Sequence, residues 1–230
     1  MVRVNVCGVT DGEDLRAVER AGADAVGIIT DVSVDTPREV SLEEAATLVD
    51  AAPLFLTTTL VTMSETVTEA VETAEAVRPD VLQVHGEFAP GEFRSLGESI
   101  PAKVVSVVDA ESPERVRAVA PAVDAVLMDS VDDAGAGGTG ETHDWAATAE
   151  VAASVDAPVV LAGGLTPENV AEAVRTVRPF AVDVASGVER TGGRKNHDAV
   201  DAFVANAVGA GAESGDGSEA PEGGPEEVPS

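Results

Sequence analysis

The chain has 230 residues, 44% of them hydrophobic and 24% charged, which is enough apolar material for one sizeable core. Its 42 Asp and Glu outnumber 14 Lys and Arg, a formal net charge of -28, and that excludes general binding to nucleic acid, which needs basic patches, and argues against docking on anionic lipid. No apolar run reaches the roughly 18 residues of a membrane span, the N-terminus lacks a signal peptide's apolar stretch, and a lone cysteine excludes an intramolecular disulfide or a cysteine-based zinc cluster, so a cytoplasmic protein is expected.

Short β-branched runs alternate with Ala/Glu-rich stretches of helical period. Arg3–Cys7 predicts a first strand and residues 12–21 a first helix. Ala25–Ile29 pairs with a helix at 42–51, Leu54–Leu60 with 64–77, Val81–His85 with 90–98, and Lys103–Val108 with 113–119. Ala125–Asp129 with 144–154, Val159–Ala162 with 168–176 and Ala181–Ala185 with 196–208 complete the series. Eight such units fit a single-domain (β/α)8 TIM barrel over residues 1–209. An open doubly wound sheet is the alternative, because rhythm alone does not report closure. Residues 210–230 are rich in Gly, Ser, Pro and acid, with no Lys, Arg or aromatic, and predict a disordered acidic tail that either solubilises the chain or recruits a partner.

The acid excess carries a separate message. Lys103 and Lys195 are the two lysines of the whole chain. A globular pattern under a carboxylated, lysine-poor surface points to adaptation to high salt, where the Debye length falls to about 3 Å at 1 M and self-repulsion is screened. An ordinary acidic protein is the plainer alternative.

Side chains alternate faces along a strand. Val4 and Val6 oppose Arg3, Asn5 and Cys7; Leu82 and Val84 oppose Val81, Gln83 and His85; Val126 and Met128 oppose Ala125, Leu127 and Asp129. The apolar sets are expected to face the helices and the mixed sets the barrel interior. Cys7, His85 and Asp129 then close their strands at the C-terminal end, where barrel enzymes keep their chemistry.

Each of these residues also has an ordinary structural use. A lone cysteine serves as a small buried hydrophobe, Asp129 could accept from loop amides, His85 could cap a loop, and Arg38 could form a surface ion pair. Gly8, Gly137-Gly138-Thr139-Gly140, Gly163-Gly164 and Ser186-Gly187 follow strand ends. They are either tight turns or places where backbone N–H groups approach a ligand closely. Thr166-Pro167 after Gly164 reads as a helix start, with Thr166 as N-cap. Glycine clusters after the last three strands match the phosphate site of such barrels. His85, His143 and His197 are scattered and Asp132-Asp133 reads as solvated acid, so neither a metal nor a cofactor is expected.

Several fragments, in order along nearly the whole folded unit, resemble the phosphoribosylanthranilate isomerase family. They are Val6-Cys7-Gly8-Val9-Thr10, Gly22-Ala23-Asp24-Ala25-Val26-Gly27, Thr36-Pro37-Arg38, Leu82-Gln83-Val84-His85-Gly86 and Leu127-Met128-Asp129-Ser130. Gly137-Gly138-Thr139-Gly140 with Asp144-Trp145, Leu161-Ala162-Gly163-Gly164-Leu165 and Val182-Asp183-Val184-Ala185-Ser186-Gly187-Val188-Glu189 follow.

The resemblance implies an Amadori rearrangement of a small phosphoribosyl substrate in tryptophan biosynthesis, by a monomer or homodimer. Asp129 would be the general acid and Cys7 the general base. Arg38 would grip the substrate carboxylate, Asp183 would stand beside the substrate, and His85 would lie near it. Gly140, Gly163, Gly164, Ser186 and Gly187 would hold the phosphate. Asp129 must then keep a proton and Cys7 must lose one, against a free-thiol value near 8.5. Three departures stand out. Asn5 replaces the family's usual lysine, the phenylalanine common after Gly27 is missing, and Arg190-Thr191-Gly192-Gly193 replaces a proline-rich loop. A histidine-pathway sugar-phosphate isomerase, a dual-substrate enzyme and a non-catalytic phosphate-binding barrel are the alternatives. Cys7 with Arg38 favours the anthranilate substrate over the first two.

Overall fold

The computed structural model describes residues 1–130 and 144–213. Eight parallel strands close into a barrel: β1 Arg3–Val6, β2 Ala25–Ile29, β3 Thr57–Thr62, β4 Val81–Val84, β5 Lys103–Asp109, β6 Ala125–Asp129, β7 Val159–Leu161 and β8 Ala181–Val184. Closure is made by β1 on β8, with Asn5 opposite Asp183 and Val6 opposite Val184, which removes the open-sheet alternative. The ladders run one residue past several strand ends, and among these Cys7, His85 and Ala162 donate their N–H groups to Val184, Thr62 and Met128. Each is thereby fixed at the barrel mouth.

Alternation decides the layers as expected. Val4, Val6, Leu82, Val84, Val126 and Met128 pack outward beneath the helices. Val105, Val107, Ala125, Leu127 and Ala162 form a separate cluster inside the barrel. The surrounding helices are α1 Gly12–Arg20, α2 Leu42–Asp50, α3 Val67–Val77, α4 Pro90–Ser99, α5 Pro113–Val119, α6 Trp145–Ala152, α7 Val170–Val177 and α8 His197–Glu213. Their starts follow local chemistry. Asp11 and Asp144 accept the first free N–H groups of α1 and α6, and Ser41/Glu44 and Thr66/Glu69 form capping boxes on α2 and α3.

Four expectations need correction. The third strand starts at Thr57, not Leu54: Leu56 N–H turns back to the Pro53 carbonyl, leaving Leu54 and Phe55 90% and 93% exposed. The Thr66 cap delays α3 to Val67. Residues 166–169 form a turn rather than helix, because Asn169 Oδ1 accepts from Thr166 N–H and its Nδ2 donates to the Gly164 carbonyl, so α7 starts at Val170. Finally, α8 continues to Glu213, burying Ala210 and bringing Gly211 against Val2, so the folded unit passes the expected end at 209. The rest of the expected tail lies outside the described residues. Besides two short 3-10 turns at Ala120–Ala122 and Ser186–Val188, a hairpin of β9 Glu189–Thr191 and β10 Arg194–Lys195 between β8 and α8 was not anticipated. Among the described residues no helix is long and apolar enough to cross a membrane.

Candidate active site

A cavity of about 330 Å³ opens at the C-terminal ends of the strands, within the size range of small-ligand pockets. Cys7, Arg38, His85, Asp129, Gly163, Gly164, Asp183, Ser186 and Gly187 all line it. Every expected site residue is therefore in one space except Gly140, which lies outside the described residues, as do His143 and Asp132-Asp133. Gln83 of β4, on the same strand face as His85, lines the cavity as well. Among the described residues there is no group of three or more His, Cys, Asp or Glu placed to hold a metal ion.

Cys7 is buried at the end of β1. Burial raises its pKa strongly, and the neighbouring Asp183 raises it further. Lys195, the Gly8 N–H and Arg38 pull the other way without cancelling the rise, so the resting group is the thiol. Asp183 is buried on β8, and Asn5 Nδ2 donates to its Oδ1 at 2.5 Å across the closing seam of the barrel. Burial pushes Asp183 up to about 6 despite that hydrogen bond and the charge of Lys195. Asp129 ends β6 beside Gly163, where a Cβ would stand 2.9 Å from Asp129 Oδ1 and collide with Ser130. With φ at +87°, that position suits glycine on both counts.

Arg38 lies on the loop after β2, half-buried over the cavity. Its Nε and Nη2 donate to Glu189 Oε1 and Oε2, each at 2.9 Å, a bidentate pair. Glu189 Oε1 also accepts from Lys195 Nζ at 3.0 Å, and the same ammonium donates to the Ala185 carbonyl at 3.1 Å. Burial alone would raise Glu189; the bonds from Arg38 and Lys195 outweigh it and hold its carboxyl below the usual value.

The β9–β10 hairpin is what brings Lys195 here. Thr10 donates to the Gly193 carbonyl at 2.9 Å, Lys195 N–H donates to Asp14 Oδ2 at 3.0 Å, and Arg194 pairs with Asp11. His197 Nε2 lies 2.8 Å from Asp14 Oδ1 at the start of α8. Neither Glu189 nor Lys195 was singled out as a site residue from the sequence. The available signal was the survival of a lysine at 195 in a chain that has two. Its ammonium supplies positive charge on this side of the barrel, where Asn5 stands in place of the family's usual lysine.

Residues 4–206 match the family model described as N-(5'-phosphoribosyl)anthranilate (PRA) isomerase. The chain belongs to the PRA isomerase family. It is 62% identical over 207 residues to the N-(5'-phosphoribosyl)anthranilate isomerase of Haloferax volcanii, covering 90% of this chain and 93% of that one. The Haloarcula marismortui isomerase is 56% identical over 207 residues, 90% of this chain and 96% of that one. Among solved structures, the phosphoribosyl anthranilate isomerase of Thermotoga maritima superposes with a TM-score of 0.79 at 34% identity, over 91% of this chain and 100% of that one. A second isomerase structure, in complex with reduced 1-(o-carboxyphenylamino)-1-deoxyribulose 5-phosphate, superposes with a TM-score of 0.77 at 32% identity, over 91% of this chain and 100% of that one.

Proposed function

We propose that the protein converts N-(5'-phosphoribosyl)anthranilate to 1-(o-carboxyphenylamino)-1-deoxyribulose 5-phosphate in tryptophan biosynthesis, with Asp129 as general acid and Cys7 as general base. The observation that supports these roles is that both residues line one cavity at the C-terminal mouth of the barrel.

Asp129 gives its proton to the ribose ring oxygen as the C1–O bond breaks, and the anthranilate nitrogen lone pair forms the iminium. Cys7 as thiolate takes the proton from C2, and those electrons neutralise the iminium to give an enolamine. Ketonisation moves a proton to C1 and leaves the ketone at C2. Arg38 binds the anthranilate carboxylate, and the backbone around Gly163, Gly164, Ser186 and Gly187 receives the phosphate. Gly140 is assigned to the same phosphate by family resemblance. Asp183 and His85 stand beside the substrate.

Forming the thiolate is the demanding part. Lys195, Arg38 and the Gly8 N–H are the groups that favour it, and the proton held by Asp183 below about pH 6 removes an opposing charge. The formal net charge of -28 fits work at molar salt. We place the enzyme in the cytoplasm, as a monomer or homodimer that sedimentation would distinguish.

Titration calorimetry with the reduced product analogue tests the site assignment. Wild type is expected to bind it, and Arg38→Ala to bind it about tenfold or more weakly, the scale of one charge-assisted hydrogen bond. Equal binding by the two would remove Arg38 from the carboxylate site.

A further inference from the structure

The strongest unexplained group is the fully buried Lys195. Arg38 lines the cavity, whereas Glu189 and Lys195 lie behind it. Side-chain exposure falls along the chain, from 20% for Arg38 to 6% for Glu189 and 0% for Lys195. A guanidinium carries five N–H donors, and the bidentate contact with Glu189 occupies two, leaving three for a ligand.

Charge, however, is the difficulty. Arg38 and Glu189 together are neutral, and a neutral pair attracts a second carboxylate weakly. Lys195 alters that balance, because Arg38, Glu189 and Lys195 together carry one net positive charge. A buried ammonium is costly unless paired, and Lys195 has its partners in Glu189 and the Ala185 carbonyl. Its own charge therefore offsets Glu189, and the residual charge is expressed at the exposed end of the row, on Arg38.

We propose that Lys195 is a positioning residue: by neutralising Glu189 it leaves the outer N–H edge and the charge of Arg38 to an aromatic amine bearing a carboxylate, and so sets preference for that substrate over its carboxylate-free analogue. The inference rests on the assignment of Arg38 to the substrate carboxylate and adds to it a source for the missing charge. Lys195 itself does not touch the substrate.

The experiment compares two substrates formed in situ from ribose 5-phosphate, with anthranilate or with aniline, in molar KCl. Wild type is expected to prefer the anthranilate derivative and Arg38→Ala to lose that preference. Lys195→Met raises KM for the anthranilate derivative about tenfold or more, the scale of one charge-assisted hydrogen bond. For the aniline derivative KM stays within about twofold, since no contact to that substrate changes, and kcat falls alike on both substrates, because the same ammonium favours the Cys7 thiolate.

Adding Glu189→Gln to Lys195→Met removes the opposing carboxylate, so the preference returns to within about threefold of wild type, allowing for repacking. The double variant leaves no buried charge unpaired, and it decides the matter even where Lys195→Met alone fails to fold. Equal losses of kcat/KM on both substrates in Lys195→Met, or a double variant without preference, overturn the proposal, because a merely structural strap, or an effect on the Cys7 thiolate alone, would behave in that way. Preference lost in Arg38→Ala yet intact in Lys195→Met overturns the Lys195 role and leaves the Arg38 assignment standing. Equal losses on both substrates in Arg38→Ala overturn the two together.

Discussion

Gly27 on β2 lies directly against Cys7 on β1, and a Cβ at residue 27 would stand 2.7 Å from Cys7 Sγ and 2.8 Å from its Cα. The neighbouring strand is thus cut away where the thiol sits. Gly27→Ala must move one backbone or the other, because the conflict includes main-chain atoms. Overpacking of this kind costs about 1–3 kcal/mol, and displacing a catalytic group by about 1 Å can cost on the order of a hundredfold in rate. Denaturant unfolding and kcat, measured together in molar KCl, are expected to show both losses. A variant with unchanged rate would place the reacting carbon elsewhere.

Removing either proton carrier isolates the chemical step. Cys7→Ala and Asp129→Asn are each expected to lower kcat by about 10²–10⁴-fold, the usual contribution of a positioned acid or base. Thermal melts should stay close to wild type for Cys7→Ala, which loses one small buried side chain. Wild-type rates in either variant would remove that residue from its role.

Much of this site was legible because period-two alternation is a local property. Val4 and Val6 name one face of β1, so Asn5 and Cys7 must take the other, and the structure places Cys7 on the cavity and Asn5 against Asp183. Closure was not legible, since nothing in the run of Arg3–Val6 reports that it pairs with Ala181–Val184. The start of β3 was misread because apolar character alone draws Leu54 and Phe55 into a strand, whereas both are exposed. Arg38 could be placed at the mouth, but its partner Glu189 is 151 positions away. That pair forms because a short hairpin folds back over α1, and the hairpin carries no periodic signal. Lys195 entered the site by the same route.

Asp183 gives stability a pH dependence of definite sign. Its pKa rises from 3.8 to about 6 on folding, chiefly through burial. Between those values the folded chain holds a proton that the unfolded chain has released, so this group costs stability as pH rises through that window, and the cost is complete above it. Asp183→Asn removes the titration and keeps an acceptor for Asn5 Nδ2. Its new N–H can also reach Asn5 Oδ1, which is buried without a partner among the described residues. The variant is expected to match wild type below about pH 4 and to exceed it by on the order of 3 kcal/mol at pH 7. Denaturant unfolding across that range checks it; a difference that does not change with pH would contradict it.

The end of α8 sets where the chain can be shortened. Ala210 is buried and Gly211 meets Val2, where a Cβ would stand 2.8 Å from the Val2 nitrogen. Truncation after Glu213 is expected to leave activity and stability within about 0.5 kcal/mol of the full chain. Truncation after Ala210 removes the packing of Gly211 on Val2 and should cost about 1 kcal/mol, as a typical destabilising change does. Paired melts of the two shortened chains read the difference directly.

The most direct measurement is turnover in molar KCl, with N-(5'-phosphoribosyl)anthranilate generated from anthranilate and phosphoribosyl pyrophosphate and its fluorescence followed in time. Fluorescence decay that requires the protein, accompanied by the deoxyribulose product and lost in Cys7→Ala, is the expected result. Folded wild-type protein that leaves the substrate unchanged would contradict the account.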